Sequence, residues 1–383
     1  MSVSWWHQEL APRETAACDV CVIGGGIAGL AAADACARAG ASVVLLERHT
    51  IGWGASTRNA GYLMRGAADN YAAACDQLGR GRAMAAWRDS EANLRLLIDR
   101  FGIDRLSTFR RTPSCLVAAS DDEAADLRRS AELMTENGFD VRLLYSGTDS
   151  LWRSLEPDVA LENPADAAIN PAEMVAHIAD VVREHGSVTI VEGAEVFGIR
   201  SRGGRTEVAS PSCTVNAGCV LVCTNAYASE LLPELVGTVK PNRGQMLAMR
   251  HPTAQLDAAY YLDRGSEYIR QTHDGTIVVG GMRKRVAAAE RTSDPTPTAA
   301  VQSALEDFAR RAIGAGGKVI ARWAGTMGFS PDGLPIVREI GIEGLEPGRA
   351  VFCGGFTGHG MSLGAITASR AAERLLAGLP ADG

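Results

Sequence analysis

Near its start the chain alternates strand-length apolar runs with a helical period. Asp19-Val20-Cys21-Val22-Ile23 is a short apolar run, glycines interrupt it between residues 24 and 29, and residues 30–39 carry a helical pattern closed by Gly40. Ser42-Val43-Val44-Leu45-Leu46 is a second apolar run, ending at Glu47. Two such strands flanking one helix predict a βαβ unit and a parallel sheet. Leu94, Leu97 and Phe101 then recur at helical spacing, with Gly102 as a stop. Ser120-Asp121-Asp122-Glu123 fits a capping box before a helix carrying Leu127, Ala131 and Met134, ending at Asn137-Gly138. A further helix is predicted over 171–183. The period then falls to two, predicting strands over 188–191, 195–199, 205–208, 219–222, 245–249, 267–271 and 276–279. A helix over 297–312 follows, and the last helix stops at Gly378 with Pro380 beyond. The fold class is α/β (α+β), with a mostly antiparallel second sheet.

Composition narrows the partners. A chain of 383 residues suggests two or three globular units at roughly 150 residues each. Its 38 Lys and Arg against 45 Asp and Glu give a net charge of −7, which disfavours nucleic acid as a partner. The 42 glycines are in excess of the usual share of roughly 7% and cluster rather than repeat every third residue, which excludes collagen and points to backbone lying close to a ligand. Nine cysteines, an odd number scattered along the chain, read as buried thiols of a reducing compartment. Cys18 and Cys21 form a C-x-x-C with no second pair to complete a metal site, and the seven histidines do not pair at ligand spacing, so no metal is expected. Residues 1–17 have no apolar core of a signal peptide, and the apolar stretch 20–37 is broken by Gly24, Gly25, Gly26, Gly29 and Asp34. A soluble, cytoplasmic chain with no membrane span is expected.

The chemistry begins at Gly24-x-Gly26-x-x-Gly29, between the first strand and the first helix. There the first glycine makes the turn, the second lets backbone approach a pyrophosphate, and the third lets helix pack on strand. Glu47, about 20 residues further on, stands where a carboxylate accepts from ribose hydroxyls. Together these predict a Rossmann-like dinucleotide site, although a purely structural glycine turn would share the same first motif. A second Gly/Ser-rich loop follows at once, Gly52-Trp53-Gly54-Ala55-Ser56-Thr57-Arg58-Asn59-Ala60-Gly61. It favours FAD over NAD, because FAD is longer and needs contacts along its ribityl and flavin portion. Ser56 can donate to the pyrophosphate, and Arg58 can offset its charge or lie near the flavin. The bland alternative is a solvated turn with a surface arginine. A third glycine cluster, residues 354–360, follows the run Ala350-Val351-Phe352-Cys353 and opens the last helix, so its N–H groups and dipole favour an anion such as a reduced flavin.

These segments resemble the FAD-dependent D-amino-acid oxidase superfamily, which includes glycine oxidase, sarcosine oxidase, D-amino-acid dehydrogenase and gamma-glutamylputrescine oxidase. The resemblance rests on 18–26, on Gly54-Ala55-Ser56-Thr57-Arg58-Asn59-Ala60-Gly61, and on Cys223-Thr224-Asn225-Ala226-Tyr227. It continues through Pro241-Asn242-Arg243-Gly244-Gln245, Trp323-Ala324-Gly325-Thr326-Met327 and Gly355-Phe356-Thr357-Gly358-His359-Gly360-Met361, in family order over almost the whole chain. It implies a discontinuous FAD-binding domain of 16–85, 160–230 and 318–383, with a substrate domain of 86–159 and 231–317. It implies FAD contacts at Gly24, Gly26, Ile27, Ala28, Gly29, Glu47 and Arg48, at Gly54, Ala55, Ser56, Arg58, Asn59 and Ala60, and at Val196 through its backbone. Thr224, Asn225, Gly358, His359, Gly360 and Met361 complete the set. Trp323 and Asn59 stand where covalent-flavin members carry cysteine or histidine, so non-covalent FAD is expected.

The implied reaction is oxidation of an amine or amino acid C–N bond by hydride transfer to flavin N5, giving an imine that hydrolyses. O2 or another acceptor would take the electrons. Ser362 and Val278 replace a carboxylate-binding and an oxygen-activating basic residue of sarcosine oxidase, so oxidase and dehydrogenase both stay open. His359, Arg58 and Met327 are flavin-proximal candidates, with no catalytic acid or base assigned. In Glu267-Tyr268-Ile269-Arg270-Gln271-Thr272, strand alternation puts Tyr268 and Arg270 on one face, where they could hold a substrate carboxylate or merely form a solvated face. Tyr261 and Arg243 are further substrate candidates by motif proximity. Two other readings stand beside this one: an NAD-dependent dehydrogenase, and a flavoprotein with a tailoring or binding role and a non-amino-acid substrate.

Overall fold

The computed structural model describes residues 14–378. Residues 1–13, the larger part of the start read as lacking a signal peptide, lie outside the described residues, as does Pro380.

The strand Glu14–Ile23 pairs in parallel with Val43–Leu46 on one side and Cys213–Val222 on the other, and Val43–Leu46 pairs in parallel with Val188–Val191. Cys213–Val222 serves two further neighbours along its length. Residues 214–217 pair antiparallel with Arg205–Ala209, while 220–222 pair parallel with Ala350–Gly354. Where both faces of the parallel centre are covered, over 20–23, 43–46 and 219–222, the strands are apolar without alternation, whereas 213–218 alternate. Ile27–Arg38, Pro171–Arg183, Gly360–Ala377 and Arg80–Phe101 contribute to the core on one face. Among these helices Asp34 is buried, accepting from Arg38, Arg100 and His185, which ties three of them together. Burial alone would raise the Asp34 carboxyl, but its hydrogen bonds to Arg100 and His185 bring it below the usual value.

The second sheet runs Lys318–Phe329, Lys240–Arg250, Ile277–Gly281, Glu267–Gln271, Ala259–Leu262, Ser114–Val117, Ala160–Asn163 and Arg142–Leu144 in spatial order. It is antiparallel except where Ala259–Leu262 meets Ser114–Val117. Leu305, Phe308 and Ala312 of the helix Ala299–Ile313 cover one face, and the other carries Met246, Val278, Tyr261 and Tyr268 towards Tyr62. Half of the capping box forms: Ser120 Oγ accepts from Glu123 N–H, while the Glu123 carboxylate accepts from Ala119 and Arg264 N–H groups instead of Ser120 N–H. It thereby pins the tip of the hairpin between Ala259–Leu262 and Glu267–Gln271 to the helix Asp121–Glu136.

One expected strand begins later than its pattern. Residues 195–197 are not strand; the strand there is Gly198–Arg202. Gly193 and Ala194 donate to the carbonyls of His49 and Glu47, so the chain crosses the end of Val43–Leu46 before it can pair again. Ala160–Asn163 and Lys318–Phe329, at the starts of the stretches 160–230 and 318–383, hydrogen-bond within the second sheet. Among the described residues no helix is long and apolar enough to cross a membrane.

Candidate active site

A cleft of about 330 Å³ runs from the ends of the parallel strands to the Tyr62 face of the second sheet. At one end it meets the first glycine turn. Gly24 has φ +109°, and a Cβ on Gly29 would stand 1.8 Å from the Gly24 carbonyl oxygen, so both positions demand glycine. Gly26 caps the helix Ile27–Arg38 with no side-chain bond, and a Cβ there would meet Ser56 Oγ at 2.8 Å. Gly25 N–H is held by Glu47 and Ile27 N–H by Ser56 Oγ, leaving Gly26 and Ala28 N–H groups without an acceptor among the described residues. Ser56 Oγ accepts from the helix, so its own proton is available to the cleft. Glu47 accepts one N–H on each oxygen, from Gly25 and His49. Arg48 stacks on Tyr227 and pairs with Glu195 and Glu230, beside Val196 in the lining.

The second loop folds on itself. Asn59 Nδ2 donates to the Ala55 and Ser56 carbonyls, and its Oδ1 accepts from Gly61 N–H, so Asn59 shapes the loop. Arg58 donates to the Trp53 and Ala324 carbonyls and lies 4.4 Å over the Trp53 ring. Gly54, Ala55 and Ala60 line the cleft beside it, as do Thr224 and Asn225 from the turn after Cys213–Val222. Asn225 takes φ +47° and accepts from Gly355 N–H, while Thr224 Oγ1 is buried with no partner. Opposite stands the third glycine cluster, with Met327 against Gly358. Ser362 and Leu363 both donate to the His359 carbonyl, so Gly358, Gly360 and Met361 N–H groups have no acceptor among the described residues. His359 Nδ1 lies 3.2 Å from the Thr357 carbonyl, which can only accept. Burial, the larger effect, pushes the imidazole below its usual value against that bond, so the ring is neutral, with its proton on Nδ1. The ring itself thus offers an acceptor at Nε2; the donors here are backbone.

At the far end Tyr62, Tyr261 and Tyr268 form a wall, with centroids 4.9 Å, 6.1 Å and 5.4 Å apart. Burial raises all three phenols, so each keeps its proton. Tyr62 Oη is buried without a partner. Tyr261 and Tyr268 line the cleft, and neither Arg243 nor Arg270 does. Arg243 is 5% exposed and grips Glu290 through two nitrogens, beside Gln245, away from the cleft lining. Arg270 shares its strand face with Tyr268 as alternation requires, but it sits behind Tyr62, donating to the Ala60 and Ile169 carbonyls. The cation available to this chamber is Arg283, which lies over Phe329 and has no carboxylate partner among the described residues. Sequence reasoning missed Arg283 and Tyr62; Tyr62 follows the second glycine loop directly, which was a usable signal, whereas Arg283 follows an ordinary strand.

A family model described as FAD dependent oxidoreductase matches residues 19–374. The chain belongs to that family. It is similar to gamma-glutamylputrescine oxidoreductase of Escherichia coli (strain K12), 26% identical over 96% of this chain and 84% of the relative. Glycine oxidase of Geobacillus kaustophilus is 25% identical over 84% of each chain, and its crystal structure superposes with a TM-score of 0.76 at 21% identity, covering 96% of both. L-alpha-glycerophosphate oxidase from Mycoplasma pneumoniae, solved with FAD bound, superposes at 0.73 with 18% identity over 94% of this chain and 95% of that one. The family decides between the two dinucleotides for FAD. The residues fit it: a cradle that a Cβ at Gly26 would narrow, free N–H groups at both helix starts, and the orphaned Thr224 hydroxyl all belong to residues lining one cleft.

Proposed function

We propose that this FAD-dependent oxidoreductase oxidises the C–N bond of a carboxylate-bearing amine, an amino acid or N-substituted amino acid. Bound FAD would accept a hydride at N5 from the carbon bearing the amine, and the resulting imine would hydrolyse to a carbonyl compound and an amine or ammonia. The pyrophosphate would rest on Gly26 and Ala28 N–H groups and Ser56 Oγ, the ribose on Glu47, and the adenine beside Val196. Gly358, Gly360 and Met361 N–H groups would offset negative charge on the flavin ring. Non-covalent attachment is supported by Trp323 and Asn59, whose nitrogens donate to loop carbonyls.

The observation that carries the substrate class is Arg283, with no carboxylate partner among the described residues, beside the protonated Tyr261 and Tyr268 in the cleft; Glu195 and Glu230 lie at the other end with Arg48. Such a site accepts an anion by bidentate guanidinium and the Tyr261 phenol, while Tyr268 Oη donates to Met246 Sδ at 3.2 Å. With the carboxylate held there, the amine and its carbon are placed for transfer by position rather than by a dedicated base. The test is anaerobic mixing of the holoenzyme with amino acids, N-methyl amino acids, polyamines and glycerol 3-phosphate. The last belongs in the panel because one component of the anaerobic glycerol-3-phosphate dehydrogenase of Escherichia coli is 26% identical over 70% of this chain and 47% of its own length. Bleaching near 450 nm by carboxylate-bearing amines supports the reading. Bleaching only by glycerol 3-phosphate replaces it with C–O oxidation, and no bleaching favours a tailoring or binding role.

A further inference from the structure

The cleft has an annex. Met64, Ala68, Tyr261, Arg264, Gly265 and His359 line both the cleft and a smaller cavity of about 30 Å³. One water needs roughly 10–15 Å³, so the annex has room for about two water-sized groups. Its inner wall is apolar, made by Tyr71, Trp87, Leu127, Met134 and Leu161 of the core under the helices Tyr71–Leu78 and Asp121–Glu136. Nothing in the FAD reading uses it.

Tyr261 and His359, shared with the cleft, bring a phenol and a free imidazole nitrogen to its mouth; deeper in, among the described residues, one fully buried side-chain donor of the lining is unsatisfied. Arg65 is 8% exposed, and its Nε–H is buried with no partner. Its other nitrogens are committed: to Glu91 at 3.0 Å, to the Asp140 carbonyl and to Asn163 Oδ1. The remaining polar groups of the inner lining are already used, Asn70 capping Ala73, Glu123 accepting from Ala119 and Arg264, and Asn163 donating to Ser114; Asp69 is exposed at the rim. Since Glu91 balances the guanidinium charge, a neutral oxygen suits Nε–H better than a second carboxylate.

Resting on the reading of the chamber as an amino-acid site, we propose that the annex receives the substituent on the substrate's α-carbon. It selects a substituent of one or two heavy atoms ending in a neutral hydrogen-bond acceptor, of hydroxymethyl size, with Arg65 Nε–H as the donor. Glycine-like substrates would leave the annex to water, and aromatic side chains would not enter it.

Unreactive acids separate this from the parent reading. Holoenzyme is titrated with acetate, propionate, 3-hydroxypropionate and 3-phenylpropionate, following the flavin absorbance. The expected result is 3-hydroxypropionate binding about 10-fold tighter than acetate, the worth of one hydrogen bond. Ala68→Leu, which narrows the annex without opening a core cavity, is expected to erase that preference; if it loses FAD, Leu127→Phe narrows the opposite wall. A preference that survives narrowing, tightest binding by 3-phenylpropionate, equal binding by all four, or no perturbation by any of them overturns the proposal. So does a crystal structure with the same water on Arg65 Nε in the acetate and 3-hydroxypropionate complexes. Failure here with an amine that still bleaches the flavin leaves C–N oxidation standing; failure of every amine to bleach removes the parent reading.

Discussion

Ser56 shows how much one hydroxyl does at this site. It accepts from Ile27 N–H and has a proton free towards the cleft, so if the pyrophosphate rests there as proposed, Ser56→Ala is expected to weaken FAD about 10-fold, measured by equilibrium titration of apoprotein. Arg283→Leu is expected to raise KM for a carboxylate-bearing substrate roughly 100-fold with a smaller change in kcat, by steady-state kinetics. Arg243→Leu, by contrast, leaves Glu290 buried and unpaired and is expected to lower Tm rather than substrate affinity. Asp166 makes a different prediction. Burial, the largest effect, pushes its carboxyl up to about 7 against hydrogen bonds from Ser114 and Arg65 N–H. The folded chain then keeps a proton that the unfolded chain releases near pH 4, so stability falls as pH rises from about 4 through 7. Urea unfolding of Asp166→Asn is expected to show a flatter dependence over that window. At this scale the glycines were legible, because φ and close approach are local constraints. The arginines were not: alternation placed Arg270 on the right face, but only packing shows that Tyr62 stands in front of it.

Elements were legible where their signals were strong and short-ranged. Pro171–Arg183 begins on Asn170, whose side chain accepts from Ala172 and Glu173, with Pro171 in the first turn, and it matches the predicted span. Tyr62–Leu63, a two-residue strand, left no periodic trace, and residues 195–197 had a strand-like pattern yet lie ahead of the strand Gly198–Arg202, with Phe197 N–H donating to the Ala209 carbonyl. Helix docking is also long-range. Asp34 draws Arg100 and His185 onto the first helix, so Arg100→Leu leaves a buried carboxylate short of its closest donor. That change is expected to cost about 2 kcal/mol, read as a lower urea midpoint with unchanged slope.

For the whole molecule, the proposed reaction needs a neutral amine, and an amino group is mostly protonated at pH 7. The expected profile is kcat/KM rising with pH towards the amine's own value, checked with one bleaching substrate from pH 6 to 9. A flat profile would remove neutral-amine hydride transfer. Acid precipitation of the holoenzyme is expected to release all of the FAD into the supernatant. The order of motifs along the chain was enough to specify a dinucleotide turn, a parallel sheet and the cofactor's class, since each depends on residues close in sequence and on backbone geometry that few side chains tolerate. That Arg283 lines the cleft while Arg243 and Arg270 do not, that Tyr62 stands in its wall, and that a small annex adjoins it were set when segments as distant as Tyr62, Tyr261 and Arg283 were packed together. Burial, charge pairing and cavity shape are properties of neighbours in space, and no local pattern encodes them.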